Sequence, residues 1–246
     1  EVTLDKVSKE ARDYFNKGFG AFERGNLDYA IDLLLKCIEI EPRFLQARKF
    51  LRAAEIQKSQ QGKAKILSFV KSNVSNVPGL IKAQNLLKQD KADEALMAVE
   101  RVMKDDPLNE RVLKVFTEAA GKAGYFDVAV QTLEIARDQM PENLSVINWL
   151  GSLYQRLGRT KDAKACFERL CEIAPNDPEA MKMLKNAMAL DSMSSDGWSE
   201  AAEKGESFRA MIKDTEEAER LEQQAKAVKS EKDVDSLIKE SLEQIE

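Results

Sequence analysis

The sequence predicts an all-α protein made of repeated helix pairs, and three observations support this. The prolines Pro107, Pro141 and Pro175 are spaced 34 residues apart, a period typical of stacked helical repeats. Each of them follows an alanine by 12 residues, with a turn-like segment before it. Charged residues make up 33% of the chain and aromatic residues only 7%, as expected of solvated helices.

Each repeat carries the same pattern of small and large residues. One position in its first helix is mostly small, one in its second helix is always alanine, and a bulky apolar residue follows four positions later. Small residues let two helices approach closely, and glycine or a similar residue suits the turn between them. These columns are Gly18, Ala83, Thr117 and Gly151; Ala30, Ala95, Ala129 and Ala163; Leu34, Val99, Leu133 and Phe167; and, in the turns, Gly25-Asn26, Asp90, Gly124 and Gly158.

The first copy, KGFGAFERGNLDYAIDLLLKCIEIEP, resembles a tetratricopeptide repeat. The copy after Leu144 is closer to the family signature, with Leu150-Gly151, Tyr154, Gly158, Ala163, Phe167 and Pro175. The resemblance implies a right-handed α-solenoid of tetratricopeptide helix pairs with a C-terminal acidic helical extension. It also implies a non-catalytic scaffold or adaptor for protein–protein interaction.

Four segments are expected along the chain. Residues 1–42 hold a lead-in helix and the first repeat, and residues 43–75 a degenerate repeat and hinge, with a helix break at Gln60-Gln61-Gly62 and a second short helix near residues 66–70. Residues 76–190 hold three regular repeats and a capping helix with Met181, Leu184, Ala187, Met188 and Leu190. Residues 191–246 form an acidic helical linker or tail with 16 acidic and 8 basic residues.

The tail invites two further expectations. Its acidic stretch around Glu216, Glu217, Glu219 and Glu222 could fold back on the groove and compete with an outside partner. Its last apolar residues, from Val234 to Ile245, have helical spacing, so we expect the chain to be a piece of a longer repeat protein. Whether the tail folds back and whether the chain is a fragment both stay open at this point.

The residue inventory argues against several functions. Histidine is absent, and the three cysteines form no CxxC pair, so no metal or cofactor is expected. No nucleophile motif or phosphate-binding loop occurs, so an enzyme is the less favoured alternative. A chaperone-like assembly factor regulated by its own acidic tail is another. An acidic pI of 5.2 disfavours nucleic acid, and no apolar run is long enough for a membrane span. We expect a cytoplasmic protein, although a removed N-terminal leader and any oligomeric state stay open.

Helical angles place a basic groove on the first helices of the regular repeats. The predicted groove positions are Val77, Leu80, Gln84, Leu87 and Lys88; Arg111, Lys114, Glu118, Gly121 and Lys122; and Ser145, Asn148, Ser152, Gln155 and Arg156. Five of these residues are basic, one is acidic, and Asn148 adds an amide. The groove is therefore predicted to bind a protein or peptide, with an acidic segment favoured.

A second candidate surface is an aromatic stripe in the first repeat. Phe15, Phe19 and Phe22 are spaced at i, i+4 and i+7, which puts them on one side of a helix. If exposed, they would form a pocket for apolar anchors of a partner. The alternative is that the following helix, near Phe50, buries them as part of the core. Phe19→Asp separates the two, because loss of folding indicates core and loss of binding alone indicates a site.

Overall fold

The computed structural model describes residue 4 and residues 6–65 and 77–194. Within them it contains ten α-helices and no β-strand. The helices are α1 Lys9–Glu23, α2 Leu27–Ile40, α3 Leu45–Lys65, α4 Val77–Lys88, α5 Ala92–Met103, α6 Glu110–Lys122, α7 Phe126–Gln139, α8 Leu144–Arg156, α9 Thr160–Ile173 and α10 Pro178–Ser194. The chain divides into a compact unit, Glu1–Ala189, and a second unit, Leu190–Glu246.

Four helix pairs, α1/α2, α4/α5, α6/α7 and α8/α9, give the first unit its repeating architecture. The turn inside each pair contains one residue in the left-handed backbone region: Gly25, Asp90, Gly124 or Gly158, with φ of 74°, 58°, 78° and 71°. A left-handed residue ends the first helix and lets the chain reverse within a few residues. This confirms the turn positions predicted from the sequence.

The predicted small columns are the points where paired helices touch. All four column alanines are 0 or 1% exposed. A Cβ added at Gly18 would lie 2.9 Å from Leu34 Cγ, and one added at Gly151 would lie 2.9 Å from the Phe167 ring. Any larger side chain at these two glycines would therefore push the paired helices apart.

The described part of this unit contains two hydrophobic clusters. One is built from α1, α2 and the start of α3, with Ile31, Leu34 and Phe44 fully buried. The other extends through the three regular pairs to α10, where Ala180 and Ala187 are buried. Of the residues predicted for the capping helix, Ala187 is buried, whereas Met181 and Met188 are 43% and 47% exposed and lie on the outer side of α10.

Helix α3 departs from the sequence prediction in two ways. The break expected at Gln60-Gln61-Gly62 is wrong, because α3 continues to Lys65. Glutamine is a good helix former, and a single glycine costs only about 1 kcal/mol in a helix. The predicted helix near residues 66–70 lies outside the described residues.

The second departure is the packing of α3 along α7. Arg43, just before α3, pairs with Asp127 at 3.2 Å near the start of α7, and Gln60 donates to Gln139 at 3.3 Å at its end. The two helices therefore run in the same direction. In a simple solenoid each repeat contacts only its neighbours, so this contact joins the first half of the unit to a pair further along.

Four charged side chains are buried where α3 meets α5. Arg48, Arg52, Glu55 and Glu100 are all at most 2% exposed. Glu100 accepts hydrogen bonds from both arginines, and Arg52 also donates to Glu55. The guanidinium of Arg52 lies 5.7 Å from the ring centre of Phe116. Charges this deep in a protein need partners, and here Glu100 supplies them across the helix interface.

Burial changes the acid–base behaviour of this cluster. It lowers the pKa of Arg48 to about 10. It raises the pKa of Glu55 to about 7, although Arg52 opposes the shift. Three polar atoms, Arg48 Nη2, Arg52 Nε and Glu55 Oε1, are buried without a hydrogen-bond partner in the described part of the chain. The charged side chains of this cluster are thus paired with one another, but their hydrogen-bonding capacity is incompletely satisfied.

Candidate functional site

A surface cleft of about 620 Å³ lies between α6 and α8, the first helices of two successive pairs. Its walls combine basic and apolar groups. The lining residues are Lys114, Thr117, Glu118, Gly121 and Lys122 from α6 and Trp149, Leu153 and Arg156 from α8.

The local sequence explains why these side chains share one space. The positions on each helix are three or four apart, so they lie on one helical face. The start of each helix is fixed by an asparagine cap: Asn109 Oδ1 accepts from the Arg111 and Val112 amides, and Asn143 Oδ1 from the Val146 amide. The caps fix where α6 and α8 begin, and hence which residues face the cleft.

The cleft carries three cations and one acid. Lys122 donates to the Leu87 carbonyl at 3.2 Å and lies 4.0 Å from Glu118. The Arg156 guanidinium stacks 4.5 Å from the ring centre of Phe126. Neither Lys114 nor Arg156 forms an ion pair with another described residue. Their charge is therefore available to a ligand, and the concave wall concentrates the positive potential.

The structure brings together some of the predicted groove residues. Lys114, Lys122 and Arg156 line the cleft, together with Glu118 and Gly121, which were placed on the same face. Lys88 and Arg111 are exposed on α4 and α6 but do not line it.

Two other predicted groove residues are less exposed than the prediction requires. Asn148 is half-buried, and its Oδ1 has no hydrogen-bond partner among the described residues. Leu87 is only 3% exposed, so its predicted place in the groove is wrong. Its side chain packs into the main hydrophobic cluster, because it lies one turn after the buried Ala83 on the same face of α4.

Sequence reasoning missed the apolar floor of the cleft. Trp149 and Leu153 were not assigned to the groove, although they are one position away from Asn148 and Ser152, which were. Trp149 is half-buried and packs against the main cluster while its remaining surface borders the cleft. A tryptophan beside a predicted groove position was the available signal.

The aromatic stripe of the first repeat packs against α3. The Phe19 and Phe50 rings are 4.6 Å apart, and Phe15 and Phe22 lie 6.0 and 5.8 Å from the same ring. Phe15 is 4% exposed and Phe19 and Phe22 are half-buried. This is the arrangement of the core alternative. Phe15 itself cannot line an open pocket, because α3 covers it.

The described residues contain no group of three or more His, Cys, Asp or Glu side chains that could hold a metal ion. Burial raises the pKa of the Cys37 thiol to about 12 and that of Cys166 to about 11, which disfavours the reactive thiolate. None of the described helices is long and apolar enough to span a bilayer. The acidic tail, and with it the predicted self-occupancy, lies outside the described residues.

Comparison with known proteins supports the repeat assignment. Residues 120–188 match the family described as tetratricopeptide repeat. Among curated proteins, no match was found.

Several solved structures resemble the chain. The first tetratricopeptide domain of Spaghetti (RPAP3), bound to the HSP90 peptide SRMEEVD, is 24% identical and covers 49% of this chain and 98% of its own, with a TM-score of 0.41. TTC0263, a thermophilic tetratricopeptide protein of Thermus thermophilus, is 15% identical and covers 73% of this chain and 99% of its own, with a TM-score of 0.42. PcrH, in complex with the chaperone-binding region of PopB, is 15% identical and covers 49% of this chain and 98% of its own, with a TM-score of 0.40.

These similarities are too distant to carry over a ligand, so the assignment depends on the repeats themselves. The matched segment contains α7, α8 and α9 in full, and the same turn and column residues recur in every pair. The chain is thus built from repeated helix pairs in a 34-residue register, and its residues 120–188 match the tetratricopeptide-repeat family.

Proposed function

We propose that this protein is a non-catalytic interaction scaffold that binds an acidic peptide segment of a partner protein in the α6/α8 cleft. The observation that carries the proposal is the combination of three cations, Lys114, Lys122 and Arg156, with the apolar surface of Trp149 and Leu153. A concave, mostly apolar surface with a few charged groups is the usual form of a ligand-binding site.

The charges favour an acidic partner over a basic or neutral one. One acid, Glu118, faces three cations in the cleft, although the whole chain has a formal net charge of −5. Arg156 is already oriented by its stacking on Phe126, so its planar guanidinium can bind a carboxylate at two points. The lysines add attraction that raises the association rate and weakens with salt.

The test is binding of a fluorescein-labelled peptide, Glu-Glu-Ala-Phe-Ala-Glu-Glu, measured by fluorescence anisotropy with the full chain. We expect the double variant Lys114→Glu, Arg156→Glu to weaken binding by about tenfold or more, since two attractions become repulsions. The matched control is Lys161→Glu, Lys185→Glu, which makes the same charge change at exposed positions outside the cleft.

The outcomes separate a site from a general charge effect. Binding that falls with the cleft variant and survives in the control variant supports the proposal. Equal losses in both variants, or equal binding of a peptide with glutamine in place of every glutamate, would overturn it.

A further inference from the structure

Gly121, like Gly20 and Gly62, lacks the close contacts of the helical glycines Gly18, Gly79 and Gly151. At Gly18, Gly79 and Gly151 an added Cβ would come within 2.9 Å of a neighbouring side chain, so close helix contact explains the glycine. At Gly121 the nearest atom to such a Cβ is on the Phe126 ring at 3.9 Å, an ordinary contact distance. Packing therefore does not require a glycine at this position.

A helical glycine without a packing role weakens the helix. It is less favourable than alanine by up to about 1 kcal/mol. Gly121 has a helical backbone in the last turn of α6, while the left-handed residue of the turn is Gly124. Gly121 lines the α6/α8 cleft, whereas Gly20 and Gly62 do not, so its missing side chain leaves space in the cleft.

The surroundings of Gly121 show what would fill that space. Trp149 and Leu153 on α8 present apolar surface to the same cleft. Phe126, which borders Gly121, lies under the Arg156 guanidinium. Lys114 and Lys122 line the same cleft from α6. The space is thus apolar at its floor and basic at its edge.

We infer that Gly121 and Trp149 receive a bulky apolar side chain of the bound segment, with acidic residues on both sides of it. This inference rests on the proposed function and adds the anchor that the charges alone do not specify. Apolar burial would supply much of the affinity, and the cations would set the orientation and the preference for flanking acids.

The experiment compares two peptides, Glu-Glu-Ala-Phe-Ala-Glu-Glu and the same peptide with alanine in place of phenylalanine. Their binding is measured to the wild-type chain, to Gly121→Ala and to Gly121→Leu, which fill the space in two steps. The control is Gly20→Ala on α1, where an added Cβ meets only the Arg24 guanidinium at 3.6 Å. Thermal unfolding verifies that each variant folds.

In the wild type we expect the phenylalanine peptide to bind roughly tenfold or more tightly than the alanine peptide. Gly121→Ala should reduce this preference, and Gly121→Leu should abolish it, while Gly20→Ala leaves it unchanged. With Trp198→Phe, which leaves Trp149 as the one tryptophan of the chain, the phenylalanine peptide should shift the Trp149 emission and the alanine peptide should shift it less.

The anchor and the proposed function fail in different ways. If both peptides bind equally and remain sensitive to Lys114→Glu, Arg156→Glu, the basic cleft stands and the anchor is wrong. The anchor is also wrong if Gly121→Leu folds and keeps the full preference for phenylalanine. If neither peptide binds, both the anchor and the proposed function are overturned.

Discussion

Removing the Glu100 carboxylate should destabilise the protein strongly. In Glu100→Ala the side chain that accepts from both Arg48 and Arg52 is lost, and two guanidiniums stay buried beside Glu55 alone. Both arginines are at most 2% exposed, so water cannot replace the lost carboxylate without opening the interface between α3 and α5. The perturbation therefore tests how the first hydrophobic cluster is attached to the second.

The expected magnitude follows from the burial of the charges. Breaking a buried ion pair by removing one partner typically costs about 3–5 kcal/mol, because an uncompensated charge remains inside. Glu100 serves two arginines, which places the expected loss in this range, a large fraction of the stability of an ordinary domain. The complete replacement Arg48→Met, Arg52→Met, Glu55→Leu, Glu100→Leu should be close to neutral, because no buried charge is left unpaired.

The assay is urea denaturation followed by far-UV circular dichroism. The control is Glu94→Ala on the same helix, where the exposed carboxylate lies 3.6 Å from Lys91 and removal should cost at most about 0.5 kcal/mol. A loss below about 1 kcal/mol in Glu100→Ala would refute the reasoning, since it would mean that the two arginines find water or other partners. A large destabilisation of the fully apolar variant would instead show that the charges stabilise the interface outright.

Two further predictions concern titratable groups. Because burial raises the pKa of Glu55 from 4.5 to about 7, its contribution to the free energy of unfolding is fully present below about pH 4.5 and is lost as the pH rises to about 7. Glu55→Gln should therefore flatten the decline between about pH 4.5 and pH 7 in pH-dependent denaturation, and an unchanged slope would contradict the assignment. For the cysteines, a thiol-reactive dye should label half-buried Cys171 first in the native protein and should reach Cys37 only on unfolding. The reason is that Cys37 is buried and the pKa of its thiol is raised to about 12. Labelling of both cysteines at one rate in the native protein would refute this prediction.

The repeat architecture was predictable because its determinants are local. A left-handed turn residue, a small residue at a helix contact and a proline after a helix act within one pair, and each acts the same way in every copy. Gly25, Gly124 and Gly158 therefore mark turns without knowledge of the rest of the fold. Asp90 confirms the register, since a non-glycine residue adopts the same backbone conformation at the same position.

The cleft was only partly predictable because it depends on the relation between two pairs. Helical angles placed Lys114, Lys122 and Arg156 on the correct side of their helices. The same angles assigned Leu87 to the open side, but its side chain packs into the main cluster. Trp149 is large enough to contact the core and to line the cleft at the same time. Helical angles assign each residue either to the packed face or to the open face, so they cannot predict such a double role.

The attachment of α3 was beyond sequence reasoning, and the physical cause is its distance along the chain. Arg48, Arg52 and Glu55 have the spacing of ordinary solvated charges on an amphipathic helix. Their burial is decided by Glu100, which lies beyond the end of α3 and belongs to the first regular pair. A charged face needs a complementary charge to be buried, and periodicity contains no information about where that charge is. Glu100 of α5 therefore allows the charged face of α3 to be buried, because it accepts from both arginines of that face.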